Sequence, residues 1–281
     1  MNLIIQGVDV FTQDLKQLAK LSGAGGIKKI SAEAFRLTDA DPTTKPAVAT
    51  HCENASLDFA FVPQSQHLKN FGLLVTDMDS TLITIECIDE IADMLGIKGQ
   101  VAAITASAMR GEMDFAESLT RRVALLRGLD ESALQRVYDE RLQLTPGAEK
   151  LLAKCKAAGI KTLLVSGGFT FFTSRLKAKL GLDYTASCQL EISAGKLTGR
   201  LVGPIVDAQG KADWLERIRR DLKLKKENVI GIGDGANDLK MLAASGVSIA
   251  FHAKPVVREQ ATYALNYSGL DAVTYLFDGT D

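Results

Sequence analysis

The chain lacks any close pairing of cysteines. Its four, Cys52, Cys87, Cys155 and Cys188, are scattered over 281 residues with no CxxC among them. That spacing argues against a zinc site and against a disulfide framework, and reduced thiols in a cytoplasmic protein are the expectation. No apolar run approaches the ~18 residues a membrane span needs. The opening segment, Met1 to Asp9, has neither a basic region nor a long apolar one, which argues against a signal peptide. Charge of one sign is also missing: the formal net charge is -1, so nothing points to nucleic acid or an anionic membrane. The basic clusters Arg121-Arg122, Arg217 to Arg220 and Lys223 to Lys226 are interleaved with acids or apolar residues and read as solvated helix faces. Internal repeats and low-complexity tracts are absent.

What is present is an ordinary globular composition, 46% hydrophobic and 24% charged, in a length that suits one large or two modest domains. Within it, Leu73-Leu74-Val75-Thr76-Asp77-Met78-Asp79-Ser80-Thr81 stands out. An apolar run stops at two carboxylates spaced i, i+2, followed by a hydroxyl pair. Strand side chains alternate faces, so the two acids can point the same way. Like charges held together are costly unless a cation neutralises them. With a cation bound, one carboxylate can act on a phosphate as nucleophile and the other as proton carrier.

The chain changes character at the polar stretch Pro63 to Asn70, read as a linker. Before it, Leu3 to Val8 and Ile30 to Leu37 are expected strands, and Asp14 to Leu21 an expected helix, with Leu15, Leu18 and Leu21 at helical spacing. Leu57, Phe59 and Phe61 alternate as in a half-buried strand. No second helix is evident between Ile30 and Phe61. Residues 1–66 therefore read as a small α+β module.

From residue 71 to the end the pattern becomes strand, helix, strand, helix. Strands are expected at Leu73 to Thr76, Thr162 to Val165, Val229 to Ile232 and Val247 to Ala250. Helices are expected at Ala148 to Ala158, Thr170 to Leu180, Ala212 to Leu222 and Asp238 to Ala244. Continuous apolar strands alternating with amphipathic helices predict an α/β fold, a Rossmann-like doubly wound parallel sheet covered on both faces. Residues 86–143 read as consecutive helices without a strand, far longer than a connection needs. They predict a helical cap over the carboxyl edge of the sheet. Cys188 to Val206 carries a hairpin signal at Ser193-Ala194-Gly195-Lys196.

In open α/β sheets ligands bind beyond the carboxyl ends of the strands. Three expected strands end in Asp77/Asp79, in Ser166-Gly167-Gly168, and in Gly233-Asp234-Gly235-Ala236-Asn237-Asp238, each with a helix expected to follow. Helix N-termini offer free N–H groups to an anion, and glycine lets the backbone approach it. Lys211 precedes the expected helix at Ala212 and could neutralise both a carboxylate and a phosphate. Singly, an Asp-x-Asp, a Ser-Gly-Gly turn or a lysine says little. In this order, at strand ends on one edge, they reinforce one another.

That order resembles the four motifs of the haloacid dehalogenase superfamily of phosphatases. The segment Met113-Asp114-Phe115-Ala116-Glu117-Ser118-Leu119-Thr120-Arg121-Arg122-Val123 and the run Gly233 to Met241 are similar, more narrowly, to its phosphoserine phosphatase family. The resemblance implies roles. Asp77 would be the nucleophile. Asp79 would be general acid and then base, and its backbone carbonyl would face the metal. Ser166 and the Gly167 amide would hold phosphoryl oxygens, and Lys211 would bridge Asp77 and phosphate. Asp234 would bind Mg²⁺ directly, Asp238 would support it indirectly, and Asn237 would face the substrate. O-phosphoserine, the implied substrate, carries an ammonium and a carboxylate besides the phosphate. Glu86 would take the first and Arg122 the second, with Met109 and Phe115 walling the pocket. Arg122 rather than Arg121 follows from the match to the family segment.

The same resemblance implies production of serine in amino-acid biosynthesis. It also implies an N-terminal regulatory module like the βαββαβ ACT fold, which residues 1–66 match only loosely. A packing or dimerisation module, and with it a homodimer, is the plainer reading of that segment. Three rival functions remain open. One is a phosphatase or phosphotransferase of the same superfamily for another small phosphomonoester, and a second is a silent binding protein on this fold. The third is a phospho-acceptor of the response-regulator kind. Retention of Asp79 and Lys211 speaks against the second, and the long helical insertion against the third.

Overall fold

Two sheets organise the chain. In the computed structural model, which describes residues 1–277, the first contains β1 (Asn2–Gln6), β2 (Gly26–Lys29), β3 (Ala34–Thr38) and β4 (Asp58–Val62), ordered β2-β3-β1-β4. Every pairing in it is antiparallel. Helices α1 (Thr12–Ser22) and α2 (Lys45–Asn54) complete a βαββαβ order.

Two expectations are corrected in this module. The strand expected from Ile30 to Leu37 begins only at Ala34: β2 ends at Lys29, and the Ser31 hydroxyl accepts from Glu33 N–H in the turn that joins the two strands as a hairpin. The second helix exists. It escaped the periodicity argument because Val48 and Cys52 are its fully buried residues, too few for a clear stripe. Pro46 lies at its start, where a missing N–H costs nothing.

Strand β4 is covered on both faces rather than one. Phe59 and Phe61 pack with Leu3, Ile5 and the helices, while Ala60 and Val62 join Ile4 in the main core. This explains why Leu3, Ile4 and Ile5 are consecutive apolar residues and are all buried. The polar stretch after β4 is tied down: Gln66 donates to Leu276 O at 3.0 Å and accepts from the Tyr263 hydroxyl at 3.2 Å.

The second sheet contains β5 (Leu73–Thr76), β6 (Lys161–Phe169), β7 (Tyr184–Ser193), β8 (Lys196–Val202), β9 (Val229–Gly233), β10 (Val247–Phe251) and β11 (Tyr263–Leu265). Their order is β11-β10-β9-β5-β6-β7-β8. All neighbours are parallel except β7 and β8, the expected hairpin. Its Ala194-Gly195 turn has φ 50° and 74°, the left-handed pair that a tight hairpin requires. Helices α7 (Ala148–Ala157), α8 (Thr170–Leu180), α9 (Ala208–Asp221), α10 (Leu239–Ala244) and α11 (Pro255–Gln260) connect the strands. Helix α9 starts four residues before its expected start because Asp207 caps it, accepting Gly210 N–H at 2.8 Å.

Between β5 and β6 lie α3 (Cys87–Met94), α4 (Lys98–Met109), α5 (Phe115–Ala124) and α6 (Ser132–Glu140), with no strand among them. Helix α5 packs on β8, so the hairpin carries the insertion. Among the described residues, no helix is long and apolar enough to cross a membrane.

Candidate active site

Strand β5 ends where its carboxylates begin. Asp77 N–H still bonds to Ile232 O of β9 at 3.0 Å. The chain then enters an irregular turn over Met78–Leu82 in which Ser80 has φ 56°. A serine there costs conformational energy, and such strain persists where surrounding contacts hold it. Here Ser80 N–H donates to Ile85 O, and the Ser80 hydroxyl donates to Glu86 Oε1 at 2.8 Å. No helix follows β5 directly, contrary to the sequence pattern; α3 begins only at Cys87.

Lys211, in the first turn of α9, is fully buried. Its ammonium lies 2.7 Å from Asp77 Oδ1 and 2.7 Å from Asp238 Oδ1. Asp238 Oδ2 accepts the N–H groups of Asp234 and Gly235 at 3.2 and 3.0 Å. Gly233 must be glycine, because a Cβ there would stand 2.5 Å from Asp238 Cγ. Asp234 in turn accepts from the Thr81 hydroxyl at 3.2 Å.

Asp77, Asp234 and Asp238 each bring a carboxylate oxygen within 4.8 Å of the others. Burial, and then the Asp238 carboxylate, push the Asp77 carboxyl well above its usual range, against the pull of Lys211. Burial and Asp238 likewise push Asp234 up to about 6. Burial alone would lower Lys211, but Asp238 and Asp77 hold it above its usual value. Three acids around one ammonium leave the cluster short of positive charge, and a cation would restore the balance. Both oxygens of Asp238 are already engaged, so Asp77 and Asp234 are the acids with oxygens to spare. The residues present fit a metal ion.

Asp79 accepts Cys87 N–H at 3.2 Å on Oδ1. Burial, with the Glu86 charge second, pushes its carboxyl up to about 7. Strand β6 runs through Ser166-Gly167-Gly168 before α8, so this segment is extended rather than a helix start. The Ser166 hydroxyl accepts Gly168 N–H at 2.8 Å. A Cβ on Gly168 would stand 2.9 Å from Asp79 Oδ2, and one on Gly167 would stand 2.6 Å from Phe115 Cζ. The strand end thus meets both the β5 turn and the first residue of α5.

The helical insertion brings further charge. Glu86 is solvent-accessible but crowded, and desolvation holds its carboxyl above the usual range, with the Ser80 hydroxyl and then Lys254 and Arg122 pulling the other way. Arg122 is half-buried, and burial lowers it, opposed by Asp89, Glu86 and Asp79. Arg121 points outward to Glu117 at 2.6 Å. Asn237 is half-buried in the turn after β9. Met109, at the end of α4, is 68% exposed. In α4, Val101 is the fully buried residue, so packing does not draw the far end of the helix inward. Sequence reasoning missed the roles of Thr81 and of Cys87 N–H. Thr81 stood in the motif, but nothing local says which acid its hydroxyl meets.

Comparison with known proteins agrees with this geometry. The family model of haloacid dehalogenase-like hydrolases matches residues 74–243, and one described as a domain of unknown function matches residues 3–48. A phosphoserine phosphatase from Polaromonas is 53% identical over 214 residues, covering 74% of this chain and 91% of its own. A crystal structure of a haloacid dehalogenase family hydrolase from Salmonella enterica superposes with TM-score 0.90 at 35% identity, covering 99% of this chain and 98% of that one. A substrate-bound phosphoserine phosphatase complex superposes with TM-score 0.70 at 36% identity, covering 74% and 99%. The chain belongs to the haloacid dehalogenase-like hydrolases and, within them, to the phosphoserine phosphatase family.

Proposed function

We propose that the protein is a Mg²⁺-dependent phosphoserine phosphatase that hydrolyses O-phospho-L-serine to L-serine and phosphate, a step of serine biosynthesis. The observation that carries this reading is the buried Lys211 ammonium held between Asp77 and Asp238 at the carboxyl edge of the sheet. Residues 71–281 would form the phosphatase domain, with a cap at about 86–143, and residues 1–66 a separate module.

Asp77, Asp234 and the Asp79 carbonyl would hold the metal, with Asp238 steadying the Asp234 loop. When bound, Mg²⁺ would neutralise phosphate charge, as it does at sites built from few carboxylates. Asp77 attacks phosphorus and becomes an aspartyl phosphate, which splits one hard hydrolysis into two easier steps. Asp79, whose carboxyl keeps its proton to about pH 7, gives that proton to the departing serine alkoxide. It then takes one from the attacking water. Lys211, the Ser166 hydroxyl and the Gly167 amide face the phosphoryl oxygens and stabilise their developing charge without reorganising.

Substrate choice would lie in the insertion. Glu86 suits an ammonium, and the planar guanidinium of Arg122 suits a carboxylate. Phe115, lying against Gly167, would exclude water, and Asn237 would face the substrate. A sugar phosphate has no use for this charge pair. The names of the relatives above support the same substrate.

The test is phosphate release from a panel of small phosphomonoesters, with and without Mg²⁺. Phosphoserine is expected among the best substrates, and only with the metal. Release from other esters but not phosphoserine would sink the substrate while leaving a phosphatase.

A further inference from the structure

The helical insertion leaves the sheet domain after Leu82 and returns at Thr145. The two chain segments at this root are clamped together. Ile83 and Leu144 form an antiparallel bridge, Thr84 N–H donates to Gln143 O at 3.0 Å, and Thr145 N–H donates to Leu82 O at 3.0 Å. The Thr145 side chain adds a bond that the backbone does not need. Its hydroxyl donates to Thr81 O at 2.7 Å, a buried contact across 64 residues of chain. Thr81 is itself wholly buried, and its own hydroxyl donates to Asp234 Oδ1.

We infer that Thr145 is a positioning residue for the Asp234 carboxylate and acts through Thr81. The inference rests on the reading of Asp234 as a metal ligand. Thr81 sits in the irregular turn that also holds the strained Ser80, where regular secondary structure does not orient the peptide. The Thr145 hydroxyl anchors that peptide by its carbonyl. The anchored Thr81 hydroxyl then occupies one lone pair of Asp234 and directs the remaining ones.

Thr145 is well placed to act as the fixed point. Pro146 follows it and restricts it to extended geometry. Pro146 O accepts Leu270 N–H at 2.8 Å, and Gly147 has φ 84° with Asp271 where a Cβ would lie. The returning segment is therefore held by Leu270 and Asp271 as well as by its bonds to Thr81 and Leu82.

Partners that orient metal ligands without touching the metal are worth ~10–100-fold in affinity, and a partner one residue further out belongs at the low end, about tenfold. The full-length chain, stripped of metal, is titrated with Mg²⁺ by calorimetry, and thermal unfolding is followed with and without Mg²⁺. Thr145→Val is expected to weaken Mg²⁺ binding by about tenfold and to shrink the rise in Tm that Mg²⁺ produces. Thr145→Ser, which keeps the hydroxyl, is expected to restore both, and Thr81→Val to weaken binding at least as much.

Wild-type Mg²⁺ affinity in Thr145→Val overturns the inference. So does equal weakening in Thr145→Ser, which would trace the effect to the lost methyl. If Thr145→Val does not fold, Thr145→Ala carries the same comparison with serine. A wild type that binds no Mg²⁺ would overturn the proposed function as well, a result distinct from a wild type that binds while its variants match it.

Discussion

Lys211 Nζ lies 2.7 Å from Asp77 Oδ1, with 1% and 7% of the two side chains exposed. A buried ion pair of this kind gains little over a well-packed apolar pair, but breaking it strands a charge. Its place at the end of the central strand fits the chemical role proposed for it better than a stabilising one. The ammonium holds oxygens of both Asp77 and Asp238 and keeps its third N–H for a further anion.

Lys211→Met should therefore abolish turnover and also destabilise the fold. The uncompensated acids Asp77 and Asp238 would cost ~3–5 kcal/mol. Urea denaturation alongside phosphate release measures both effects. A stable, inactive variant would show that the neighbouring acids neutralise themselves by protonation.

Asp77→Asn should show no turnover above background and trap no phosphoenzyme. Rapid-quench experiments with radiolabelled substrate check this. An acid-stable, base-labile phosphoryl group on the variant would place the nucleophile elsewhere.

Arg122→Ala should raise KM for phosphoserine by ~10–100-fold, the cost of a charge-assisted bidentate contact. A generic aryl phosphate, which has no carboxylate, should be affected much less. Equal losses on both substrates would remove Arg122 from substrate selection. Arg121→Ala, which loses only an exposed pair with Glu117, should leave both substrates near wild type.

Gly167→Ala tests the contact between the sheet and α5. The added Cβ would meet the Phe115 ring edge at 2.6 Å. The ring must move, and a lowering of kcat/KM by about tenfold is expected, with overpacking costing ~1–3 kcal/mol. Phe115→Leu in the same background should recover part of the activity if the clash is the cause.

Asp183 offers a test away from the chemistry. Burial pushes its carboxyl up, but the Lys161 ammonium at 2.7 Å and the Thr162 N–H and hydroxyl outweigh that and hold it below the usual range. A depressed folded pKa adds stability that is present above the unfolded value and lost as pH falls through the folded one. Asp183→Asn should cost ~1–2 kcal/mol at neutral pH. The difference from wild type should persist down to about pH 4 and shrink below it, as denaturation across that range would show.

Much of the architecture was legible in order of residues alone. Leu73 to Thr76 and Thr170 to Leu180 form the expected elements with the expected bounds, because their apolar patterns match strand and helix periods. The helix at Lys45–Asn54 was not legible. Its burial is supplied mainly by two side chains, and a sheet it meets only in the folded chain completes its core. The strand expected at Ile30 misled because an apolar residue beside a serine turn looks like a strand start.

The candidate site divides in the same way. Sequence by itself determined which residues lie at one edge: parallel strands all point their carboxyl ends to the same side, so Asp77, Ser166 and Asp234 had to share it, and the order β9-β5-β6 makes them neighbours. Only the tertiary structure decided how each oxygen is used. It spends Asp238 on Lys211 and two backbone N–H groups, turns Arg121 to Glu117 and Arg122 inward, leaves Met109 exposed, and links Thr145 through Thr81 to Asp234. The edge a residue occupies follows from local pattern and chain connectivity, whereas the order of the strands and the assignment of a hydrogen bond depend on contacts between residues far apart in the chain.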